Sequence, residues 1–118
     1  MLKHIRDRYG SSFIGYLVTI GRVSKREHRV PLRFVYYNGK FYASRRNMNS
    51  DWMKNIMHNP AVRVEIGDDI IVNGIARIVS DDPNLCSTVS RLKYQDERSN
   101  EARVIVEIEI MDSYEAVK

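Results

Sequence analysis

The sequence has a single cysteine and no long hydrophobic run, and each shortage excludes a class of protein. Cys86 has no second thiol to pair with, so a disulfide scaffold is excluded and a reducing cytoplasm is expected. The apolar runs are only a few residues long, as in Ile70-Ile71-Val72, whereas a membrane-spanning helix needs about 20 apolar residues. No apolar segment follows the charged start MLKHIRDRYG, which predicts no secretory signal. We therefore expect a cytoplasmic protein that does not span a membrane.

Motifs for metal binding and for covalent catalysis are missing as well. The three histidines, His4, His28 and His58, stand apart from one another and from Cys86, without the spacing of metal ligands. We expect no metal site. Cys86 has no histidine nearby in the sequence, and neither a Walker motif nor a dinucleotide glycine motif occurs. The sequence argues against a hydrolase or an ATPase, and it identifies no catalytic residue.

The residues that are present fit one globular domain over residues 1–118, with residues 1–12 as an N-terminal arm or helix. Hydrophobic residues make up 43% and charged residues 29%, which is close to the globular average. The 19 Lys and Arg residues exceed the 15 Asp and Glu residues, and basic residues crowd the segment 22–46. The net charge of +4 suits an anionic partner, either nucleic acid or a phosphorylated cofactor.

Strand-like patterns dominate the chain. Six segments rich in β-branched and aromatic residues predict strands at residues 13–20, 29–37, 40–44, 61–66, 70–80 and 102–111. Asn38-Gly39 predicts a tight hairpin, and helices are expected within residues 50–60 and after Asp82-Pro83. Hairpins with inserted helices favour a mainly β fold, an antiparallel barrel with two or three short helices. Because side chains fill a small barrel, a ligand must bind outside it or between subunits.

The second predicted strand carries a candidate phosphate-binding wall. Its alternation places Arg29, Pro31 and Arg33 on the face opposite the apolar residues. Guanidinium groups match the geometry of phosphate, and the small side chains of Ala43 and Ser44 would let a planar ring approach the backbone of residues 42–44. A solvated basic face is the alternative interpretation.

A family resemblance adds to this interpretation. Residues 19–24 (TIGRVS), followed by Arg29, Pro31 and Leu32, resemble the flavin-binding split β-barrel proteins of the pyridoxamine 5'-phosphate oxidase-like type. They are most similar to the deazaflavin-dependent, nitroreductase-like branch. The hairpin at residues 38–44 and the segment 52–60 (WMKNIMHNP) continue the similarity, which covers residues 17–67 well.

The resemblance implies a six-stranded Greek-key split barrel that forms a homodimer and binds a flavin-type nucleotide at the subunit interface. The cofactor is then a deazaflavin coenzyme or FMN, and the reaction is a two-electron transfer to or from a small organic substrate. The resemblance and the strand pattern together suggest cofactor contacts at Arg29, Pro31, Arg33, Tyr42, Ala43, Ser44, Arg45, Ser50, Trp52 and Lys54.

Two residues depart from the family pattern. Lys25 replaces a glycine after the R-x-S element, and Met53 stands where the branch often has an aromatic residue that could donate a proton. Two non-catalytic alternatives remain open at this stage. One is a flavin-binding protein without turnover, and the other is a small basic barrel that stacks single-stranded nucleic acid on Tyr36, Tyr37 and Tyr42. The acidic last strand argues against nucleic acid.

Apolar residues on outward strand faces favour the homodimer independently of the resemblance. Pro31 and Val35 lie on the outer face of the second strand, and Ile105 and Met111 lie opposite the apolar face of the last strand. We expect a partner subunit to cover these four residues.

Overall fold

In a computed structural model of the chain, six antiparallel strands close into a barrel with the order β1-β2-β3-β6-β5-β4. The structure describes residues 10, 12–45, 47–68, 70–79, 82–93 and 103–115. The elements are β1 (Ser12–Ile20), β2 (Glu27–Tyr37), β3 (Lys40–Arg45), α1 (Asp51–His58), β4 (Ala61–Ile66), β5 (Ile70–Val79), α2 (Pro83–Lys93) and β6 (Val104–Glu115). This confirms the mainly β, six-stranded Greek-key barrel. The expected arm or helix at residues 1–12 lies, apart from residues 10 and 12, outside the described residues.

The barrel core forms from one face of each strand, as the alternation predicts. On β2, Phe34 is completely buried, and Val30, Leu32 and Tyr36 pack against the same core. The rings of Phe13, Phe34 and Phe41 lie 5.9 to 6.3 Å apart between centroids, which is the usual range for aromatic pairs. Three buried side chains of α1 join this core: Trp52, Met53 and Ile56. Helix α1 therefore closes one end of the barrel.

Local turn and cap chemistry confirms two further expectations. Asn38 and Gly39 connect β2 to β3 with φ angles of 53° and 78°, the positive values that a type I′ hairpin turn requires. At the start of α2, Oδ1 of Asp82 accepts the backbone N–H of Leu85 at 3.0 Å, with Pro83 at the first helical position. The register of β5 against β6 shifts between Asn73 and Gly74, so a bulge interrupts this strand pair.

Helix α2 corrects part of the argument for a homodimer. Val35 and Ile105 were expected on a surface covered by a partner, but both are completely buried. They form a second apolar cluster with Tyr42 and with Val89 of α2, so the chain covers them itself. Pro31 and Met111 remain exposed, and Met111 keeps 63% of its surface accessible.

Strands β2 and β3 separate soon after their hairpin. The two strands pair only from Tyr37 opposite Lys40 to Val35 opposite Tyr42. The rest of β2, back to Glu27, does not pair with β3. The pairing of β2 with β1 continues through Pro31, which has no N–H to donate toward another strand. The separation opens the barrel wall between β2 and the end of β3.

Candidate functional site

Two adjoining clefts lie where β2 separates from β3. The first, which we call the loop cleft, has a volume of about 520 Å³. Its walls include Thr19, Arg22, Ser24, His28, Trp52 and Asn55. The second, which we call the basic cleft, has a volume of about 500 Å³ and lies against Arg33, Ser44, Lys93 and Arg103. Arg45 and Ser50 line both clefts, so the two clefts are adjacent.

The basic cleft concentrates positive charge. Four cationic side chains line it, and no acidic residue is among the described residues that do so: Arg33, Arg45, Lys93 and Arg103. Lys93 reaches across from α2 and donates from Nζ to Oγ of Ser44 at 3.0 Å and to its carbonyl oxygen at 3.2 Å. Nη1 of Arg33 donates to Oγ of Ser12 at 3.3 Å. Guanidinium and ammonium groups gathered in this way suit a phosphate or carboxylate ligand.

The loop cleft is built around a buried asparagine. Oδ1 of Asn55 accepts the backbone N–H of Arg22 at 3.2 Å and its Nη1 at 2.9 Å, while Nδ2 donates to Oγ1 of Thr19 at 3.1 Å. Nη2 of Arg22 also lies 3.5 Å from Oδ1 of Asp51. These contacts tie β1, the loop at residues 21–26 and α1 together, and they hold the Arg22 guanidinium at the wall of the cleft.

Gly21 lets this loop pack closely. A Cβ atom at Gly21 would overlap the imidazole of His28 and the hydroxyl of Ser24, so any larger residue would displace both side chains. Oγ of Ser24 lies 2.8 Å from Nε2 of His28 and also accepts the backbone N–H of Arg26 at 3.2 Å. The absence of a side chain at Gly21 therefore brings a serine and a histidine to the cleft as a hydrogen-bonded pair.

Two buried donors at the clefts lack acceptors. Oγ of Ser50 and Nε1 of Trp52 are buried, and neither has a hydrogen-bond partner among the described residues. Buried polar groups are nearly always hydrogen-bonded, so an unpaired donor at a cleft indicates a ligand that accepts hydrogen bonds. Together with the four cations, these donors fit an anionic, oxygen-rich group such as a flavin-type nucleotide.

The structure brings six of the ten candidate residues to the clefts. Pro31, Arg33, Ser44, Arg45 and Ser50 line the basic cleft, and Trp52 lines the loop cleft. Arg29 lies on the outer wall of the barrel. Its Nε donates to Oε1 of Glu65 at 2.7 Å, and its guanidinium carbon lies 3.5 Å from the ring centroid of Tyr16. Lys54 is exposed on α1 and lines neither cleft.

Tyr42 and Ala43 are buried in the two apolar clusters and line neither cleft. Ala43 is buried in the barrel core, and Tyr42 is buried beneath α2. The Tyr42 hydroxyl donates to Oε2 of Glu107 at 3.0 Å, and burial followed by this hydrogen bond raises the pKa of Tyr42 above its usual value. Tyr36 packs on Phe41, with ring centroids 5.3 Å apart. Two of the three tyrosines suggested for stacking on nucleic acid are thus engaged within the fold.

Several lining residues escaped the sequence analysis. Arg22 and Ser24 belong to the TIGRVS motif, which could have pointed to them. His28 shares the strand face of Val30 and Leu32, so its position two residues before the apolar run was a second signal. Lys93 and Arg103 come from distant parts of the chain, and no local pattern connects them with β2.

Two negative findings complete the description. Within the described ranges, no group of three His, Cys, Asp or Glu residues lies close enough to hold a metal ion. No helix in the described part of the chain is long and apolar enough to cross a membrane.

Comparison with solved structures identifies the same fold in several other proteins. A Listeria innocua protein thought to be a pyridoxamine 5'-phosphate oxidase superposes with a TM-score of 0.71 at 18% identity, covering 97% of this chain and 94% of that one. An F420 reductase gives 0.62 at 19% identity, with 85% and 87% covered. A FAD-binding protein from Mesorhizobium loti gives 0.60 at 21% identity, with 89% and 85% covered. At these identities the similarity shows the fold.

The family model for F420H(2)-dependent quinone reductases matches residues 5–108. The chain therefore belongs to this family and is a deazaflavin- or flavin-dependent oxidoreductase. Membership confirms the recognition of the deazaflavin-dependent branch and the expected deazaflavin or flavin cofactor. No curated protein matches the chain significantly.

Proposed function

We propose that this oxidoreductase binds the deazaflavin coenzyme F420 with its phosphate in the basic cleft and reduces a small quinone held in the adjoining loop cleft. The observation that supports this most strongly is the combination of four cationic side chains in the basic cleft with the unpaired donors Ser50 Oγ and Trp52 Nε1 beside it. FMN shares the phosphate and the planar ring system, and it is the alternative cofactor. Family membership supports F420.

The basic cleft holds the phosphate end of the coenzyme in this proposal. Arg33 and Arg45 offer planar forks of donors that can bind a phosphate with two hydrogen bonds each, and Lys93 adds a further positive charge. Ser44 and Ser50 line the same cleft with hydroxyl groups. When bound, the reduced coenzyme supplies a hydride to the acceptor.

The loop cleft holds the acceptor. Val23 and Val30 give it apolar surface, while Arg22 places a guanidinium at the wall. A quinone has an apolar ring and carbonyl oxygens that gain negative charge during reduction, so this combination of surfaces suits it. Asn55 orients Arg22 through the two hydrogen bonds that its carboxamide oxygen accepts. Electrostatic stabilisation of developing charge by a fixed donor is a major contribution to catalysis.

We further propose that two copies associate and that the protein acts in the cytoplasm. The outer wall of the barrel carries a shallow groove of about 290 Å³ with the exposed apolar residues Ile75 and Met111 in its lining, beside Glu27 and Arg63. Exposed apolar surface of this kind favours association. Glu27 lines this groove and the adjacent His28 lines the loop cleft, so the two sites meet at the start of β2 on opposite faces of the strand. The single cysteine supports a reducing compartment.

Titration of the coenzyme-free protein with F420 and with FMN, followed by fluorescence, tests the cofactor. Saturable binding of F420 is expected, and reduction of a soluble quinone by the reduced coenzyme should then be catalytic. Binding without turnover for any quinone would favour a carrier protein. No saturation with either ligand up to millimolar concentration, where binding is worth about 4 kcal/mol, would overturn the proposal. A single-stranded oligonucleotide in the same titration checks the nucleic-acid alternative.

A further inference from the structure

We propose that His28, hydrogen-bonded to Ser24, donates the proton that a two-electron acceptor in the loop cleft takes up together with a hydride. The inference rests on the proposed function, which supplies the hydride. It assigns a catalytic acid to a chain whose sequence by itself identifies no catalytic residue.

The chemistry of the acceptor creates the need for an acid. A quinone that accepts a hydride carries one negative charge, and a proton on its second oxygen completes the hydroquinone. In the proposed step, the Nδ1–H bond of the imidazolium breaks and an O–H bond forms on the acceptor, while Nε2 stays hydrogen-bonded to Ser24. His28 becomes neutral and regains its proton from water, which its exposed position allows. The hydride carries both electrons, so the step needs no other reductant.

The position of His28 meets the geometric requirement. Its side chain lies on the same face of β2 as Val30 and Leu32, at the end of the strand where the core-facing side opens into the loop cleft. Arg29, the next residue, points to the outer wall and contacts Glu65. The 2.8 Å contact with Ser24 and the space left by Gly21 hold the imidazole against the loop.

The other titratable residues of the loop cleft are unsuited to this role. Among the described lining residues, the ionisable side chains besides His28 are Arg22, Arg45 and Asp51. A guanidinium does not release its proton at any pH that the protein experiences. Asp51 is exposed and forms an ion pair with Arg22, 3.5 Å from Nη2 to Oδ1, and an ionised carboxylate only accepts hydrogen bonds. Imidazole is the side chain that changes protonation between about pH 5 and 8.

Ser24 acts as a positioning residue for His28. Its oxygen accepts the backbone N–H of Arg26, which leaves one lone pair and the hydroxyl hydrogen for the imidazole. The charged groups around the pair come from several elements. They are Arg22, Lys25 and Arg26 on the loop, Arg45 on β3, Asp51 on α1, and Glu27 and Arg29 on the outer face of β2. The expected pH dependence of kcat is therefore that of His28 among these charged groups.

The test is the pH profile of kcat between about pH 5 and 9, measured with the reduced coenzyme and a soluble quinone. For the wild type, kcat should fall as the pH rises, because the proposed step consumes a proton carried by His28. For His28→Gln, kcat at the acid end should fall by about 100- to 10,000-fold, and the profile should be flat. Ser24→Ala should keep the pH-dependent limb at a reduced rate. His58→Gln, which removes an exposed histidine outside both clefts, is the matched control and should behave as the wild type.

Two measurements that do not depend on turnover complete the test. The Kd for the oxidised coenzyme should stay within twofold in His28→Gln, because the proposed role is proton transfer. The imidazole signal of His28, assigned by its loss in His28→Gln, should titrate in NMR spectra with the midpoint of the kinetic limb. Different midpoints, or a His28→Gln enzyme that keeps the limb, would overturn the inference and leave the proposed function standing. A wild type that neither binds the coenzyme nor turns over would overturn both.

Discussion

One carboxamide oxygen, Oδ1 of Asn55, holds Arg22 by two atoms: it accepts the backbone N–H at 3.2 Å and the guanidinium Nη1 at 2.9 Å. Asn55 is only 3% exposed, and its Nδ2 donates a hydrogen bond to Oγ1 of Thr19. A side chain inside the fold therefore determines the position of a charged group at the cleft. Stability and ligand binding depend on the same hydrogen bonds.

Asn55→Ala should lower the free energy of unfolding by about 1–3 kcal/mol, because it leaves the Arg22 N–H and the Thr19 hydroxyl without their buried partner. Asn73→Ala is the matched control. Its Nδ2 also donates to a side chain, Asp112, but the contact is exposed and the expected change is within about 0.5 kcal/mol. Urea denaturation measures both values. Equal stability of the two variants would show that Asn55 does not fix the loop.

Glu107 should be the residue whose loss changes acid stability most clearly. Its carboxylate accepts hydrogen bonds from Arg77 at 3.0 Å, Tyr42 at 3.0 Å and Lys40 at 3.3 Å, with 5% of the side chain exposed. Burial by itself would raise the pKa of Glu107, but these donors outweigh it and hold the pKa below the usual range. A carboxyl with a lowered pKa in the folded state stabilises the protein above the pKa of the unfolded chain. That contribution is lost as the pH falls through the folded value.

Glu107→Gln should therefore lower the unfolding free energy at pH 7 by about 1–3 kcal/mol. It should also flatten the decline of stability at pH values below about 4, because the titrating group is gone. Urea denaturation at a series of pH values compares the two slopes. Glu109→Gln, on the same strand but exposed, serves as the control. Parallel curves for wild type and Glu107→Gln would contradict the account of this cluster.

Most strands could be predicted from the sequence because strand alternation and hairpin chemistry are local. Asn38-Gly39 determines its turn through backbone conformation alone, and Asp82-Pro83 starts α2 by capping. The burial of Val35 was not predictable in this way. Alternation shows that Val35 lies on the outer face of β2, but the cover comes from Val89, which is remote in sequence.

The candidate site was predictable in part for the same reason. Arg33 and Arg45 follow from strand position and from the family pattern. Lys93 is the last residue of α2, and Arg103 directly precedes β6. Both line the basic cleft, and only the tertiary fold brings them close to β2. The separation of β2 from β3 that creates the clefts has one local signal, Pro31, whose missing N–H weakens strand pairing.

Arg33→Ala and Arg29→Ala should distinguish two positions on the same outward face of β2, one at the basic cleft and one beside Glu65. Arg33 lines the basic cleft, so its loss should raise the Kd for the coenzyme by about 10- to 150-fold, the effect of one charge-assisted hydrogen bond. Arg29 is paired with Glu65 on the outer wall, away from both clefts. If one chain forms the whole coenzyme site, loss of Arg29 should leave the Kd for the coenzyme unchanged. Fluorescence titration measures both, with thermal melts as the folding control. An unchanged Kd in Arg33→Ala would remove β2 from the phosphate site, and a raised Kd in Arg29→Ala would extend the site to the outer wall.

Met111→Glu should dissociate the proposed homodimer. Met111 is 63% exposed and lines the outer groove with Ile75, so a carboxylate there would have to be desolvated when a partner packs on the groove. Met57→Glu is the matched control, because Met57 on α1 is equally exposed, at 61%, and lies outside the groove. Light scattering at tens of micromolar protein should give the dimer mass for the wild type and Met57→Glu, and the monomer mass for Met111→Glu, whose circular dichroism spectrum should remain that of the folded protein. If the partner supplies a wall of the loop cleft, Met111→Glu should also bind the coenzyme more weakly. A monomeric wild type would overturn the homodimer and would require one chain to form the whole binding site.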